Sequence, residues 1–352
     1  MSKGIRIGAV ALAAVLGLAG CSGGGSKSSS TSKTTAASGP VGLRLGYFPN
    51  LTHATALVGL ANGIFTRDLG SNVMVHTSTF NAGPAAVEAI FSGALDATYV
   101  GPNPAINAFQ KSNGTAVRIV AGATSGGAAL VVKPTITTPA QLKGKKIASP
   151  QLGNTQDVAL RSWLKKQGLN TTPEGGGDVN ILPQDNSQTL DTFKSGQIDG
   201  AWVPEPWASR LVIEGKGKVL VDEATLWPDK KFLTTTLIVR TAYLKDHPDV
   251  VENLLKAHVE ATDFVNQHPA EAQQIANTAI GQLTGKTLSA AVVASAWKNL
   301  LFTSDPLAST LKKEASDAAA AGLLQPVDLK NIVDVGPLNK VLKADGKPVV
   351  SA

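Results

Sequence analysis

Two stretches of this 352-residue chain share one plan: FSGALDATYVGPNPA at 91–105 and FKSGQIDGAWVPEPWA at 193–208. Each ends a helix-period segment, turns at Ser-Gly, and carries an aspartate, Asp96 or Asp199, into a short apolar strand. Each then meets a Pro-x-Pro turn that opens another helix. Short apolar runs framed by helical segments are buried strands of an α/β protein with crossover helices. Two ordinary strand-to-helix turns would give the same pattern. The shared layout nonetheless suggests two lobes whose equivalent turns face each other across a cleft.

The alternation extends outward from both stretches. Strands are expected at Leu43–Tyr47, Val73–Thr79, Ala94–Val100, Val117–Ala123 and Ala129–Val132, with helices at 54–61, 84–91 and 104–110 between them. A second, smaller unit follows. It has a strand at Lys146–Ala148, a helix at Thr155–Gln167 with Asn154 as its N-cap, and further elements at 179–182, 188–195, 199–203 and 207–213. After a strand at Thr234–Val239 the chain reads as helical almost to its end. The smaller unit therefore interrupts the larger one. Lobe I is expected from residues 41–131 and 236–352 and lobe II from 132–235, joined by two hinge strands near Val132 and Thr235.

The N-terminus reads differently. Lys3 and Arg6 precede an apolar run, Ile7 to Leu18, and then Leu18-Ala19-Gly20 and the only cysteine, Cys21. That order is a secretory signal, too short for a membrane span. Leu-Ala-Gly-Cys resembles the lipobox of bacterial lipoproteins. The resemblance implies cleavage after residue 20 and lipid on Cys21, holding the chain at the cell membrane on its extracytoplasmic side. Residues 21–40 are nearly all Ser, Gly, Thr, Ala and Lys, a composition that cannot bury enough apolar surface to offset ordering and reads as a disordered tether. GCSGG at 20–24 lacks the strand and helix that a hydrolase nucleophile elbow requires.

The formal charge of +6 includes Lys3, Arg6, Lys27 and Lys33, so the body beyond residue 40 carries only +2. That is no footprint for nucleic acid. Catalytic and metal constellations are absent from the pattern. His53, His76, His247, His258 and His268 have no metal-ligand spacing, and the last three are expected on the surface of the helical part. Gly175–Gly177 lacks the flanks of a phosphate loop, and no motif implies a cofactor.

Candidate ligand contacts fall on strand-end turns, where open α/β sheets bind. YFPNLTH (47–53) offers Asn50, Thr52 and His53. GPNP (101–104) offers Gly101 and Asn103, and PQLGNTQ (150–156) offers Gly153, Asn154 and Thr155. Each places uncharged donors and orphan N–H groups at a helix N-terminus, which favours an anion, although each alone is also simply a capped helix. Trp202 and Glu205 in WVPEPW (202–207) suggest an apolar wall with one acceptor. Gly126 and Gly127 could admit a ligand to the backbone or let a hinge bend.

Four segments carry a wider resemblance: GYFPNLTHATALVGLANGIF (46–65), FNAGPAAVEAIFSGALDATYVGPNPAINAF (80–109), LKGKKIASPQLGNTQDVALRSWLK (142–165) and IDGAWVPEPWASRL (198–211). They resemble the periplasmic substrate-binding proteins of sulfonate, taurine and nitrate ABC importers, the aliphatic-sulfonate group in particular. The resemblance implies a two-lobe periplasmic-binding type II fold. It implies a monomer that hands a small ligand to a permease and its ATPase, and a pocket built from the residues just named, closed by Trp202 and Glu205. A sulfonate stays singly charged at physiological pH and can be held by neutral donors alone. Nitrate, bicarbonate and pyrimidine thiamine precursors are further ligands of the family, and pyrimidine synthesis occurs on the same fold.

Overall fold

The computed structural model describes residues 39–352. The signal segment, the tether and Cys21 lie outside the described residues. Eleven strands form two sheets. In chain order they are β1 Val41–Tyr47, β2 Val73–Thr79, β3 Ala97–Val100, β4 Val117–Gly126, β5 Ala128–Val132, β6 Lys146–Ser149, β7 Asn180–Pro183, β8 Gly200–Pro204, β9 Lys218–Asp222, β10 Leu233–Arg240 and β11 Leu300–Phe302. The first sheet runs β11-β4-β10-β3-β1-β2 and the second β7-β6-β8-β5-β9. β1 pairs in parallel with β2 and β3, and β6 with β7 and β8, while β4, β5, β9, β10 and β11 run antiparallel to their neighbours.

Alternate residues of the central strands enter different cores, as the two-residue period of a strand requires. In lobe I, Leu237 and Val239 join one cluster with the 248–267 helix, whereas Ile238 between them joins another with helices 102–111 and 308–320. In lobe II, Leu130 and Trp202 face one cluster, and Val131 and Val203 the other. The central strands of both sheets are thus buried on both faces, which explains their near-continuous apolar runs.

The repeated plan corresponds to one local device used twice. Asp96 accepts from the Arg44 backbone N–H at 3.0 Å, and Asp199 accepts from that of Lys146 at 3.0 Å. Asp96, just before β3, ties that strand to β1, and Asp199, just before β8, ties that strand to β6. Arg44 and Arg240 complete the shell of Asp96, and Lys133 that of Asp199.

The strand order moves the crossings. β5 pairs with β8 and β9, so Ala128–Val132 belongs to lobe II and the first crossing is at Gly126-Gly127, not Val132. The return crossing lies between Asp222 and Leu233 rather than at Thr235, because Leu233 already pairs with Ser125. Both glycines have left-handed φ, 79° and 74°. A Cβ on Gly126 would sit 2.7 Å from the Asn299 carbonyl, and one on Gly127 would sit 2.2 Å from Leu300. Only glycine can turn the chain there.

The C-terminal region is less uniformly helical than its pattern suggests, since β11 adds an edge strand to β4. His258 is also a correction. It is fully buried, and its Nδ1 meets the Tyr99 hydroxyl at 2.9 Å, because its helix turns that face into the core. His268 is exposed. Among the described residues no helix is long and apolar enough to cross a membrane.

Candidate functional site

The interior of the cleft holds a small polar cavity, about 20 Å³, lined from both lobes. Lobe I supplies Phe48, Asn50, Thr52, His53, Asn81, Gly101 and Thr234, and lobe II supplies Asn154, Thr155, Gln156, Asn186 and Pro204. Every polar side chain in the lining is a carboxamide, a hydroxyl or an imidazole. No carboxylate, lysine or arginine lines it.

Each donor is positioned by its turn. After β1 the chain enters a 3-10 turn, Leu51–His53, that buries all three residues. His53 stacks on Phe48 with ring centroids 4.4 Å apart, and its Nδ1 accepts from the Phe48 N–H at 3.3 Å. Burial pushes the imidazole pKa down to about 3, so the ring is neutral and carries its proton on Nε2 as a donor. Asn50 uses its Oδ1 to accept from Trp207 Nε1 at 3.0 Å, a bond between the lobes that leaves its NH₂ for the cavity.

In lobe II the N-cap expectation for Asn154 holds for position but not for bonding. Its side chain caps nothing. Asp157, one turn inside the helix, takes over. It accepts from the Gly153 N–H at 3.0 Å and the Ser149 hydroxyl at 2.6 Å, and pairs with buried Arg161 at 3.1 Å. The turn is therefore fixed from within, and the Asn154 amide is available to the cleft. Thr155 Oγ1 and Asn186 Oδ1 are buried and make no hydrogen bond within the protein. Buried polar atoms without partners are costly unless something meets them. The orphan N–H groups at the start of the 155–166 helix lie in the same place.

Six of the twelve expected residues thus line the cavity: Asn50, Thr52, His53, Gly101, Asn154 and Thr155. The other six do not. Asn103 donates to the Glu314 carbonyl at 3.1 Å and is held in the contact between helices 102–111 and 308–320. Gly126 and Gly127 serve the crossing, and Gly153 supplies a left-handed turn residue at φ 76°. Trp202 is wholly buried in the lobe II core, where its Nε1 donates to Glu223 at 2.7 Å. Glu205 is occupied. It accepts from the Ser209 N–H and hydroxyl at 3.0 Å each and from Asn299 Nδ2 at 2.7 Å. Burial pushes its pKa up, against the pull of those three donors. Since Asn299 belongs to lobe I, Glu205 fastens the lobes rather than meeting a guest.

Asn81, Gln156, Asn186 and Thr234 were missed. Gln156 follows residues already suspected, but Asn81 and Asn186 each look like loop residues before a helix, without distinguishing neighbours. Asn50, Asn81 and Asn186 also line a wider, adjoining cleft of about 610 Å³. Phe80, Trp207, Ile280, Leu283 and Leu288 give that cleft apolar walls, with Arg210, Glu214 and Lys286 as its charged groups. Arg210 lies 4.7 Å over the Trp207 ring and pairs with Glu214 at 2.9 Å.

The family model described as the NMT1-like family matches residues 36–280. The taurine-binding periplasmic protein of Escherichia coli K12 is 30% identical over 206 residues, 58% of this chain and 61% of that protein. The curated relatives aligned first are spanned over only 60–61% of their own length. Among solved structures, the alkanesulfonate-binding protein of Xanthomonas axonopodis pv. citri bound to MOPS superposes with a TM-score of 0.68 at 23% identity, covering 86% of this chain and 99% of that one. The nitrate-binding protein of Synechocystis PCC 6803 superposes at 0.70 and 16% identity, covering 87% and 89%. These likenesses establish the two-lobe periplasmic-binding fold.

Proposed function

Because this chain belongs to the NMT1-like family, we propose that it is the solute-binding component of an ABC importer, a monomer tethered outside the cell membrane by lipid on Cys21, that captures an organic anion between its lobes. The observation that carries this reading is the cavity lining: neutral polar groups from both lobes, the Thr155 hydroxyl among them buried without a partner, and no charged side chain. Such a lining suits a group with a permanent single charge. Hydrogen bonds from neutral amides and hydroxyls to an ion are stronger than neutral pairs, and no acid–base partner is needed to set its charge. A catalytic role lacks support, since His53 is the only titratable group in the lining and its Nδ1 is already engaged.

The two adjoining spaces, which share Asn50, Asn81 and Asn186, favour a particular shape of guest. The inner cavity takes only a compact head, and the outer cleft offers apolar walls to a tail. With Glu205 committed to Ser209 and Asn299, no free carboxylate in the cavity awaits an amine. We therefore place alkane- and arylsulfonates ahead of taurine, and taurine ahead of nitrate, bicarbonate or a pyrimidine. Delivery follows from closure: the guest selects the closed lobes, which dock on the permease.

Thermal-shift measurements with butane-1-sulfonate, taurine, nitrate, bicarbonate and an aminopyrimidine test this reading. The buffers must be free of sulfonate groups. Butane-1-sulfonate should raise the midpoint most. If none of the anions moves it, the assignment falls, and if nitrate alone does, the tail argument falls.

A further inference from the structure

A second cavity, about 110 Å³, lies on the seam between the lobes and shares no residue with the polar pocket. Its chemistry is unlike that pocket's. Glu223, at the start of the return connection after β9, lines it together with Trp163 and Trp227. Glu314, on the 308–320 helix of lobe I, lines the other side. Both carboxyls are almost fully buried, at 1% and 3% exposure. Glu223 accepts from Trp202 Nε1, but Glu314 Oε1 has no partner in the protein.

We propose that Glu223 and Glu314 couple lobe closure to protons: closing places one carboxyl from each lobe in a shared, water-poor cavity, so the closed, ligand-holding form takes up protons and binds more tightly as the medium acidifies.

The geometry leaves the pair little choice. A buried carboxylate is penalised by lost hydration, and a second one nearby adds repulsion. The surrounding cations have other partners, and Lys313, the one that also pulls both carboxyls down, is outweighed by burial. On the Glu314 helix, Lys313 pairs with Asp317 and sits 4.0 Å over the Trp227 ring. From the facing 155–166 helix, Lys166 reaches Asp317 at 3.7 Å, Lys165 donates to the Ala320 carbonyl, and Arg161 pairs with Asp157 through its Nε. From the 102–111 helix, Asn103 meets only the Glu314 backbone carbonyl. Beside Glu223, Asp222 caps the next turn through the Ala224 N–H and adds negative charge. Burial raises Glu223 to about 7, and burial followed by repulsion from Glu223 raises Glu314 well above the ordinary range.

The direction follows from linkage. Opening returns water to both groups and lowers their pKa values toward the ordinary carboxyl value, about 4.3. The contribution of the pair to closure is complete below that value and is lost as pH rises through the closed-state pKa values, beginning near 7 for Glu223. Glu223 alone should weaken binding about tenfold from about pH 6 to about pH 8, and Glu314 should add to that.

This coupling rests on the ligand reading above, so its test has two arms. In the first, butane-1-sulfonate is titrated calorimetrically into the folded chain near pH 6.5, in two sulfonate-free buffers of different ionisation enthalpy. Net proton uptake on binding is expected. Affinity should fall at least about tenfold from pH 6 to pH 8 in the parent and stay within about twofold in the E223Q/E314Q double variant, whose amides mimic the protonated acids. The second arm uses no ligand: melting midpoints are followed over the same pH range, and the double variant should lose the decline seen in the parent. Binding without proton uptake would overturn the coupling while leaving the ligand assignment standing. Absence of sulfonate binding would strike the assignment alone, and a parent melt no more pH-sensitive than the double variant would then refute the acid pair independently.

Discussion

Gly101 is the most informative single position to perturb. It ends β3 in lobe I with φ −67° and ψ 157°, a conformation alanine adopts without strain. An added Cβ, however, would lie 2.2 Å from Thr155 Oγ1 and 3.3 Å from Thr155 Cβ, atoms that belong to the other lobe. The shortfall against an ordinary carbon–oxygen contact exceeds about 1 Å, so the lobes must stand off or Thr155 must leave its rotamer. Overpacking of this kind costs about 1–3 kcal/mol, which is roughly 5- to 150-fold in affinity. The cost falls on the closed form only. Gly101→Ala should therefore weaken butane-1-sulfonate binding by that factor in calorimetry while far-ultraviolet circular dichroism stays native. Gly42→Ala, where a Cβ meets nothing within 4 Å, is the matched control. In a double-mutant cycle with Thr155→Ala, part of the loss should be recovered, since removing Oγ1 relieves the contact. Undiminished affinity in Gly101→Ala, or strict additivity in the cycle, would refute the idea that these turns meet over the guest.

His53→Phe should keep the stack on Phe48 but remove the Nε2 donor, weakening an anionic guest by about 1.5–3 kcal/mol. Because the pKa of His53 is lowered to about 3, nitrogen NMR should find a neutral Nε2–H ring from about pH 5 to about pH 8, and a titration near 6.5 would contradict the site. Glu205→Ala strands the Asn299 amide and the Ser209 N–H. Affinity should fall by about 1–3 kcal/mol through closure while far-ultraviolet circular dichroism stays native, and unchanged binding would show that the fastening plays no part. Asp157→Ala leaves Arg161 buried without its partner and should lower stability to urea by about 3–5 kcal/mol. A loss below 1 kcal/mol would mean the Gly153–Thr155 turn is held by other means.

Much of this protein was legible before any coordinates. The apolar runs and glycine turns located nine of the eleven strands of the described residues or their centres, because a strand buried on both faces cannot disguise its composition. β11 was not seen, since Leu300–Phe302 is an edge fragment whose pairing with β4 depends on a partner far away in sequence. β9 escaped too, its alternation half-buried and unremarkable. The crossings were placed late because Ala128–Val132 reads the same whichever sheet receives it, and only its partners β8 and β9 decide. In the site, strand-end turns with donors at helix starts were readable, hence Asn50, His53, Gly101 and Asn154.

Trp202 and Glu205 mark the boundary of what composition can say. Two tryptophans around a carboxylate looked like a wall and an acceptor. The parity of β8 turns Trp202 inward onto Glu223, and the lobe contact commits Glu205 to Asn299. By itself the sequence determined the class of fold, the two-unit plan and the neutral, donor-rich character of the turns, because these depend on local periodicity and residue chemistry. Only the tertiary structure decided which donors converge, which were already engaged, and that two carboxyls from different lobes share one cavity. Those are matters of who sits opposite whom, and chain neighbours carry no record of it.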